Sequence, residues 1–149
     1  MRCRPLALLG VVVALTGCAL PGRGAACTQA DMDSAVGVLW TPADFGGADA
    51  AVVRVCVEER CVRRSSGNPD DPFARLSVRL PDDVGRATVP VRLTVTSAAD
   101  GRVLVSDRVR AGLTEQHPNG RSCPPVAWTA SYGVDPERGL VPAAGTAPR

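Results

Sequence analysis

The sequence predicts an all-β fold, an immunoglobulin- or fibronectin-like β-sandwich of about seven short strands preceded by a separate N-terminal segment. Apolar and polar residues alternate along several segments of the 149-residue chain, and no long segment shows the period of a helix. Residues that favour turns, mainly Gly, Pro, Asn and Asp, separate these segments at short intervals. A closed β-barrel is the alternative arrangement of the same strands.

The first two strands are predicted at residues 36–40 and 51–57. A Thr-Pro pair ends the first strand, because proline has no backbone N–H to donate. The second strand has the clearer alternation. Both expected core faces are apolar and consist of Val36, Val38 and Trp40 in the first strand, and Ala51, Val53, Val55 and Val57 in the second.

A two-residue turn at positions 58–59 would pair the second strand with the residues that follow it. In that register Cys56 lies opposite Cys61 on the outer face, and Val55 lies opposite Val62 on the core face. Facing Cα atoms of an antiparallel pair are about 4.5–5.5 Å apart, a distance that a disulfide tolerates. We therefore predict a Cys56–Cys61 bond, although two glutamates are an unusual choice for such a turn.

Four further strands are predicted, at residues 74–80, 89–96, 102–110 and 126–134, and the polar residues 63–72 are interpreted as a mobile loop. The alternation predicts which side chains are mostly buried. These are Trp40, Val53, Val55, Leu76, Val78, Leu93, Val95 and Trp128, with the two tryptophans at the aromatic centre of the core.

Three details add expectations about these strands. Pro90 cannot donate to a ladder, so its strand should begin at a sheet edge or near a bulge. Asp107 interrupts an apolar face, which indicates a bulge near Ser106. In the last strand the alternation places five residues on the core face: Val126, Trp128, Ala130, Tyr132 and Val134.

The chain begins with an arginine-flanked apolar run that ends in Leu-Thr-Gly-Cys at residues 15–18. The run at residues 6–15 is about ten residues long, shorter than the roughly 20 that a spanning helix needs. This order resembles the signal peptide and lipobox of bacterial lipoproteins, which implies that Cys18 is acylated and becomes the mature N-terminus. The alternatives are an ordinary secretory signal with a free Cys18, or an uncleaved anchor.

This interpretation divides the chain into a lipoprotein signal peptide at residues 1–17, a flexible tether at 18–26, a β-sandwich domain at 27–141 and a disordered tail at 142–149. A diacylglyceryl group on Cys18 carries two acyl chains, which are enough for stable anchoring. We therefore expect lipid to hold the domain at the extracytoplasmic face of the cell membrane.

Composition restricts the partners. The seventeen basic residues are all arginine, and removal of Arg2 and Arg4 with the signal peptide makes their number equal to the fifteen acidic residues. The net charge therefore gives no argument for nucleic acid. Arg60, Arg63 and Arg64 could contact lipid headgroups or a wall polymer, although such a group is more often a solvated strand end. We predict the membrane and an envelope protein or polymer as partners.

Four cysteines remain once Cys3 leaves with the signal peptide and Cys18 carries lipid. An even number in an oxidising compartment favours disulfides, and three pairings are possible. The hairpin register favours Cys56–Cys61 and leaves Cys27–Cys123 as the second bond. That bond would join the segments before the first and last strands, which can be neighbours in such sandwiches.

The mature chain contains a set of short motifs, namely Cys27-Thr28, Val55-Cys56-Val57 with Cys61, Ala99-Asp100-Gly101 and Pro-Asn-Gly-x-x-Cys at residues 118–123. Together they resemble small uncharacterised actinobacterial lipoproteins with an immunoglobulin-like β-sandwich domain, over residues 27–140. The resemblance implies a fold and cysteine positions but no catalytic residues. The chain departs from this pattern at two places, the Glu-Glu turn at residues 58–59 and the charged loop after Cys61. The first departure leaves the type of that turn open.

Candidates for metal binding or nucleophilic catalysis are few. His117 is the only histidine and the chain has no Gly-x-Ser-x-Gly motif, so neither a histidine metal site nor a serine hydrolase is predicted. The aspartate pairs at residues 70–71 and 82–83 could bind calcium. Aspartates in turns more often accept hydrogen bonds from their own backbone, and we predict no metal and no cofactor.

We expect a non-catalytic binding or accessory module of the cell envelope, because sandwich loops carry binding sites readily and the sequence shows no catalytic constellation. The alternative is a small cell-surface hydrolase with an Asp/Glu acid–base pair, such as Glu115 with Asp135. A deep polar pocket with converging carboxylates would favour the hydrolase, and an open patch would favour the module.

Overall fold

The computed structural model describes residues 27–143, which form two packed β-sheets and no α-helix. In chain order the strands are β1 (Ala35–Trp40), β2 (Ala51–Val57), β3 (Arg60–Ser65), β4 (Ala74–Arg79), β5 (Thr88–Ser97), β6 (Val103–Gly112), β7 (Thr114–Gln116), β8 (Ala127–Asp135) and β9 (Gly139–Pro142). A short 3₁₀ helix, Pro42–Phe45, follows β1. The predicted all-β sandwich is confirmed, and the two strands that were not predicted are the short β7 and β9.

The predicted signal peptide, the tether at residues 18–26 and the lipid-carrying Cys18 lie outside the described residues. At the other end, β9 continues to Pro142, and the Ala143 N–H donates to the Ser131 carbonyl at 3.1 Å. The sheet therefore includes Pro142, the first residue of the segment predicted as a disordered tail. Residues 144–149 lie outside the residues that the structure describes. Between residues 27 and 143 no helix is long and apolar enough to cross a bilayer.

The strand order brings the first and last long strands together. The first sheet has the order β4-β1-β8, and β7 and β9 pair with successive parts of β8 on its other side. β1 runs parallel to β8 and antiparallel to β4. The second sheet has the order β3-β2-β5-β6 and is antiparallel throughout.

Two disulfides join the predicted pairs of cysteines. Cys56 and Cys61 lie opposite each other in the β2–β3 hairpin, with Cα atoms 4.0 Å apart, and the Cα atoms of Cys27 and Cys123 are 5.6 Å apart. In the hairpin turn Glu58 has a φ of 53°, the left-handed conformation that primed turns require. Two disulfides indicate an oxidising, extracytoplasmic environment.

The core consists mainly of aliphatic side chains from the inner faces of both sheets. Of the eight residues predicted to be mostly buried, seven are buried, and Trp128 is partly buried and packs against the core. Trp40 is 3% exposed, whereas Val126 is 43% exposed. The prediction for the last strand is wrong at its beginning because Val126 precedes β8 and Trp128 is only its second residue, at the end of the sandwich.

Two predictions about β3 are wrong. The strand continues to Ser65, whereas residues 63–72 were interpreted as loop. Val62, expected on the core face, is 39% exposed although it pairs with the buried Val55. β3 is the edge strand of the second sheet, and its residues up to Arg64 are exposed, so the first sheet does not cover this part of the hairpin.

Two predictions about β5 and β6 also need correction. β5 is a central strand, and Pro90 lies just beyond its last pair with β2, where its carbonyl accepts the Glu58 N–H at 3.2 Å. The missing proline donor therefore breaks no ladder bond with β2. The bulge expected near Ser106 is present two residues earlier, at Leu104, where the register shifts between Val105 and Val103, and it leaves Asp107 on the inner face.

Charged side chains of the second sheet reach two edge strands of the first. Arg64 Nη1 donates to the Arg75 carbonyl in β4 at 2.8 Å, and Asp107 Oδ2 accepts the Leu140 N–H of β9 at 2.7 Å. At Gly139, where φ is 77°, a Cβ atom would lie 2.5 Å from Asp107 Oδ2. Asp107 therefore points inward because its carboxylate accepts a hydrogen bond from a backbone N–H of the edge strand β9. Unpaired backbone groups at a sheet edge would otherwise be open to pairing with another chain.

Candidate functional site

The outer face of the second sheet carries a group of exposed arginines, which we call the arginine face. Alternate residues of each strand point to solvent, so all four strands contribute. Arg54 lies directly opposite Arg63, and Arg92 lies directly opposite Arg108, with one further arginine two positions along β6. The arginine face consists of Arg54, Arg63, Arg92, Arg108 and Arg110.

These five guanidinium groups have no hydrogen bond or ion pair among residues 27–143. The arginines that do pair with carboxylates in this range are Arg79, Arg102 and Arg138, which lie elsewhere. Glu58 of the hairpin turn lines a shallow depression at one end of the face, beside two of the arginines, without forming an ion pair. The face therefore carries an excess of positive charge.

The balanced composition conceals this separation of charge. Twelve of the fifteen acidic residues lie outside the strands, whereas the outward strand positions of the second sheet carry five arginines and no carboxylate. Like charges directly opposite each other destabilise a sheet, and this sheet contains two such pairs. Arginine cannot relieve the repulsion by losing its proton.

The arginines singled out in the sequence do not act as one group. Arg63 belongs to the arginine face, but Arg64 lies on the other side of β3 and bonds to the Arg75 carbonyl. Arg60 lies opposite Val57 beside the turn. These three arginines are close in sequence but do not share a surface. The arginine face instead combines residues as far apart in sequence as Arg54 and Arg110.

The two carboxylates considered for acid–base catalysis are far apart. Glu115 lies opposite Trp128 in β8, and Asp135 is seven residues further along that strand, or about 23 Å. Glu115 Oε1 contacts His117 Nε2 at 3.0 Å. The pKa of Asp135 is lowered to about 2 by hydrogen bonds from the Arg138 side chain and from backbone N–H groups. The structure does not bring this pair together.

The other candidate ligands also have local structural contacts. Asp82 Oδ1 lies 3.5 Å from Arg79 Nη2, and the Asp70 N–H donates to Asn68 Oδ1 at 3.1 Å. His117 Nδ1 is buried and has no hydrogen-bond partner among the described residues. Within residues 27–143 no three His, Cys, Asp or Glu side chains are close enough to hold a metal ion. The expectation that no metal or cofactor binds stays a prediction.

Asn119 has a structural role that its sequence context does not indicate. Its Oδ1 accepts from Thr28 Oγ1 at 2.7 Å and from the Ala30 N–H at 2.8 Å. Its Nδ2 donates to the carbonyls of Ala30 and Pro124 at 2.9 and 2.6 Å. An Asn-Gly pair indicates a turn, but not that the side chain fixes a segment 89 residues away beside the Cys27–Cys123 bond.

The arginine face has the chemistry of an anion-binding surface. Guanidinium groups offer pairs of N–H donors in a planar arrangement that matches phosphate and carboxylate oxygens. A scan against protein-family models, a search of curated proteins and a search of solved structures all found no match. The resemblance to actinobacterial lipoproteins therefore stays a prediction, and the site is interpreted from its own geometry and charge.

Proposed function

We propose that this protein is a non-catalytic binding or accessory module of the cell envelope, anchored by lipid on Cys18 at the extracytoplasmic face of the membrane. In this proposal the arginine face binds an anionic partner. The observation that carries the proposal is the face itself, with five exposed guanidinium groups on one sheet and no acidic partner among the described residues.

Three further observations support it. The opposed arginine pairs reduce the stability of the sheet, so their presence on one face is better explained by binding than by folding. The two disulfides agree with an extracytoplasmic location. The Leu-Thr-Gly-Cys motif after a short apolar run supports the anchor.

The hydrolase alternative has no comparable support. Glu115 and Asp135 are separated along β8, and a carboxyl group with a pKa of about 2 is a weak base and stays ionised at neutral pH. The open outer face of a sheet also differs from the deep polar pocket that an acid–base pair needs.

The anchor is tested by changing Cys18 to Ala in the native host. The variant should lose incorporation of labelled fatty acid and should be released from membranes after a high-salt wash, or should remain unprocessed, because no thiol is available for acylation. The wash removes electrostatic association without extracting a lipid-anchored protein. Fractionation and metabolic labelling measure both effects.

Cys3→Ala is the matched control, since it removes the other cysteine of the N-terminal segment. This variant should be labelled and retained like the natural protein. Normal cleavage of the Cys18→Ala protein with full membrane retention after the wash would contradict the proposed anchor.

The binding face is tested by placing a photo-reactive residue at Ser106, which is exposed beside Arg92 and Arg108. Ser77 is the control, because it is an exposed serine on the outer face of the first sheet. After irradiation of host cells, mass spectrometry should detect adducts from position 106 but not from position 77. Equal adducts from both positions, or none from either, would refute binding at the arginine face.

A further inference from the structure

We propose that the anionic partner of the arginine face is the surface of the bilayer that holds the anchor. The sandwich would then lie with its second sheet against anionic phospholipid headgroups. This inference rests on the proposed function and identifies the partner of the same face.

The topology places the start of the domain and part of the arginine face at the same end of the sandwich. β1 starts opposite the end of β4, since Ala35 pairs with Arg79. From there the chain crosses to the start of β5 at Thr88, which pairs with Gly112 at the end of β6. Arg110 lies near this end of the second sheet, and Arg92 and Arg108 lie opposite each other at the middle of their strands.

The length of chain before the domain keeps this end close to the bilayer. Only residues 19–26 separate Cys18 from Cys27, and a chain of that length spans at most about 30 Å. Cys27 is bonded to Cys123 and so is fixed to the domain. β5, with ten residues, is itself about 33 Å long, so the anchor allows a separation no larger than the domain.

The charges favour an approach on the side of the second sheet. The tether end of the first sheet carries Asp31, Asp33 and Asp82, of which Asp33 and Asp82 lie 2.8 and 3.5 Å from Arg79. An end-on approach would bring these carboxylates to the anionic lipids. The arginine face has one carboxylate beside it, that of Glu58 in the hairpin turn, against five guanidinium groups, so its excess positive charge attracts these lipids.

The shape of the face also favours a planar partner. Four strands about 4.8 Å apart give an array about 14 Å wide between the outer strands. The arginines stand on the open surface of this sheet and line only shallow depressions. A flat array of guanidinium groups matches the phosphates of a bilayer surface, whereas a single polymer chain would be expected to bind in a groove.

The expected effect is large enough to measure. Each basic residue near an anionic membrane surface strengthens binding by about fivefold, so three should contribute about 100-fold. The surface potential decays over a Debye length of about 8 Å at physiological salt. Binding should therefore weaken when salt is raised.

The test uses the mature chain, residues 18–149, with both disulfides formed and Cys18→Ser to prevent acylation. Its binding is measured to vesicles of phosphatidylcholine alone and of phosphatidylcholine mixed with phosphatidylglycerol. We expect salt-sensitive binding to the mixed vesicles only. The triple variant R92Q/R108Q/R110Q should bind them about 100-fold more weakly.

The control R75Q/R86Q/R121Q makes the same change in net charge at exposed arginines outside the face, and it should bind within about fivefold of the parent chain. The first triple variant should melt at or above the parent temperature, because it removes an opposed pair. If it does not fold, R54Q/R63Q tests the same face, with about a 25-fold loss expected.

Equal binding to both kinds of vesicle, or equal losses in the two triple variants, would overturn the inference. So would binding to soluble poly(glycerol phosphate) without binding to phosphatidylglycerol vesicles, since that result would identify a polymer as the partner. The chain in this assay carries no lipid, so its result does not depend on acylation of Cys18. Failure of the anchor and failure of the lipid-binding face are therefore distinguished.

Discussion

Replacing Cys27 and Cys123 together with serine is expected to lower the free energy of unfolding by about 4–5 kcal/mol. The bond joins positions 96 residues apart, so it closes a loop that contains β1 to β7. Its removal increases the conformational freedom of the unfolded chain far more than it changes the folded one. Urea unfolding of the two proteins under non-reducing conditions measures the difference.

The folded state should change little in this variant. Asn119 still holds the backbone of Ala30 through two hydrogen bonds and accepts a third from Thr28. The matched control is the double serine variant of the hairpin cysteines, whose bond spans only 5 positions. On the same entropic argument that variant should lose about 2 kcal/mol.

A larger loss in the hairpin variant than in the Cys27/Cys123 variant would contradict this ranking. Peptide mapping of the unreduced mature protein provides a separate check on the pairing. It should recover one peptide pair containing Cys27 with Cys123 and one fragment containing Cys56 with Cys61. A peptide that links Cys27 to either hairpin cysteine would refute the register of β2 with β3.

Changing Trp40 to Ala is expected to cost about 3–5 kcal/mol, the usual range for truncating a buried aromatic residue. The indole is 3% exposed in the core, and its Nε1–H donates to the Ser66 carbonyl at 2.8 Å. Ser66 is fully buried, and its hydroxyl accepts the Ala51 N–H at 3.1 Å. The substitution therefore leaves a cavity and an unsatisfied carbonyl. Denaturant unfolding gives the loss.

Two variants separate these contributions. Trp40→Phe keeps a ring in the core but removes the donor, so it should lose about 1–3 kcal/mol, the cost of leaving a buried acceptor unpaired, together with a packing term. Trp128→Ala is the control, because that side chain is only partly buried, and it should lose less than Trp40→Ala. If Trp128→Ala were the more harmful change, the second tryptophan and not Trp40 would be the centre of the core.

The alternation of side chains determined the strands and most of the core, because that pattern is local to each strand. It predicted β2, β4 and β5 with their buried faces. A two-residue turn between two cysteines permits one register, which explains why the Cys56–Cys61 pair could be derived from spacing alone. The sequence also determined the motif at residues 15–18, on which the proposed anchor depends.

Only the tertiary structure decided which strands are neighbours. The short β7 and β9 carry almost no pattern of their own and form because β8 offers an edge to each. Pro90 is compatible with a central strand because the ladder with β2 ends at the Val57–Val91 pair, and beyond it Pro90 only accepts a hydrogen bond, from the Glu58 N–H. Asp107 is compatible with an inward position because β9 presents the Leu140 N–H to it.

The arginine face is also a feature that only the tertiary structure reveals. Its members are dispersed between positions 54 and 110. In sequence, four of them are ordinary solvent-facing residues of predicted strands, and Arg63 belongs to a segment that was interpreted as loop. The strand order β3-β2-β5-β6 places two pairs directly opposite each other and gathers all five on one surface. A period of two determines only the side of the sheet, and the pairing of distant strands determines which charges meet there.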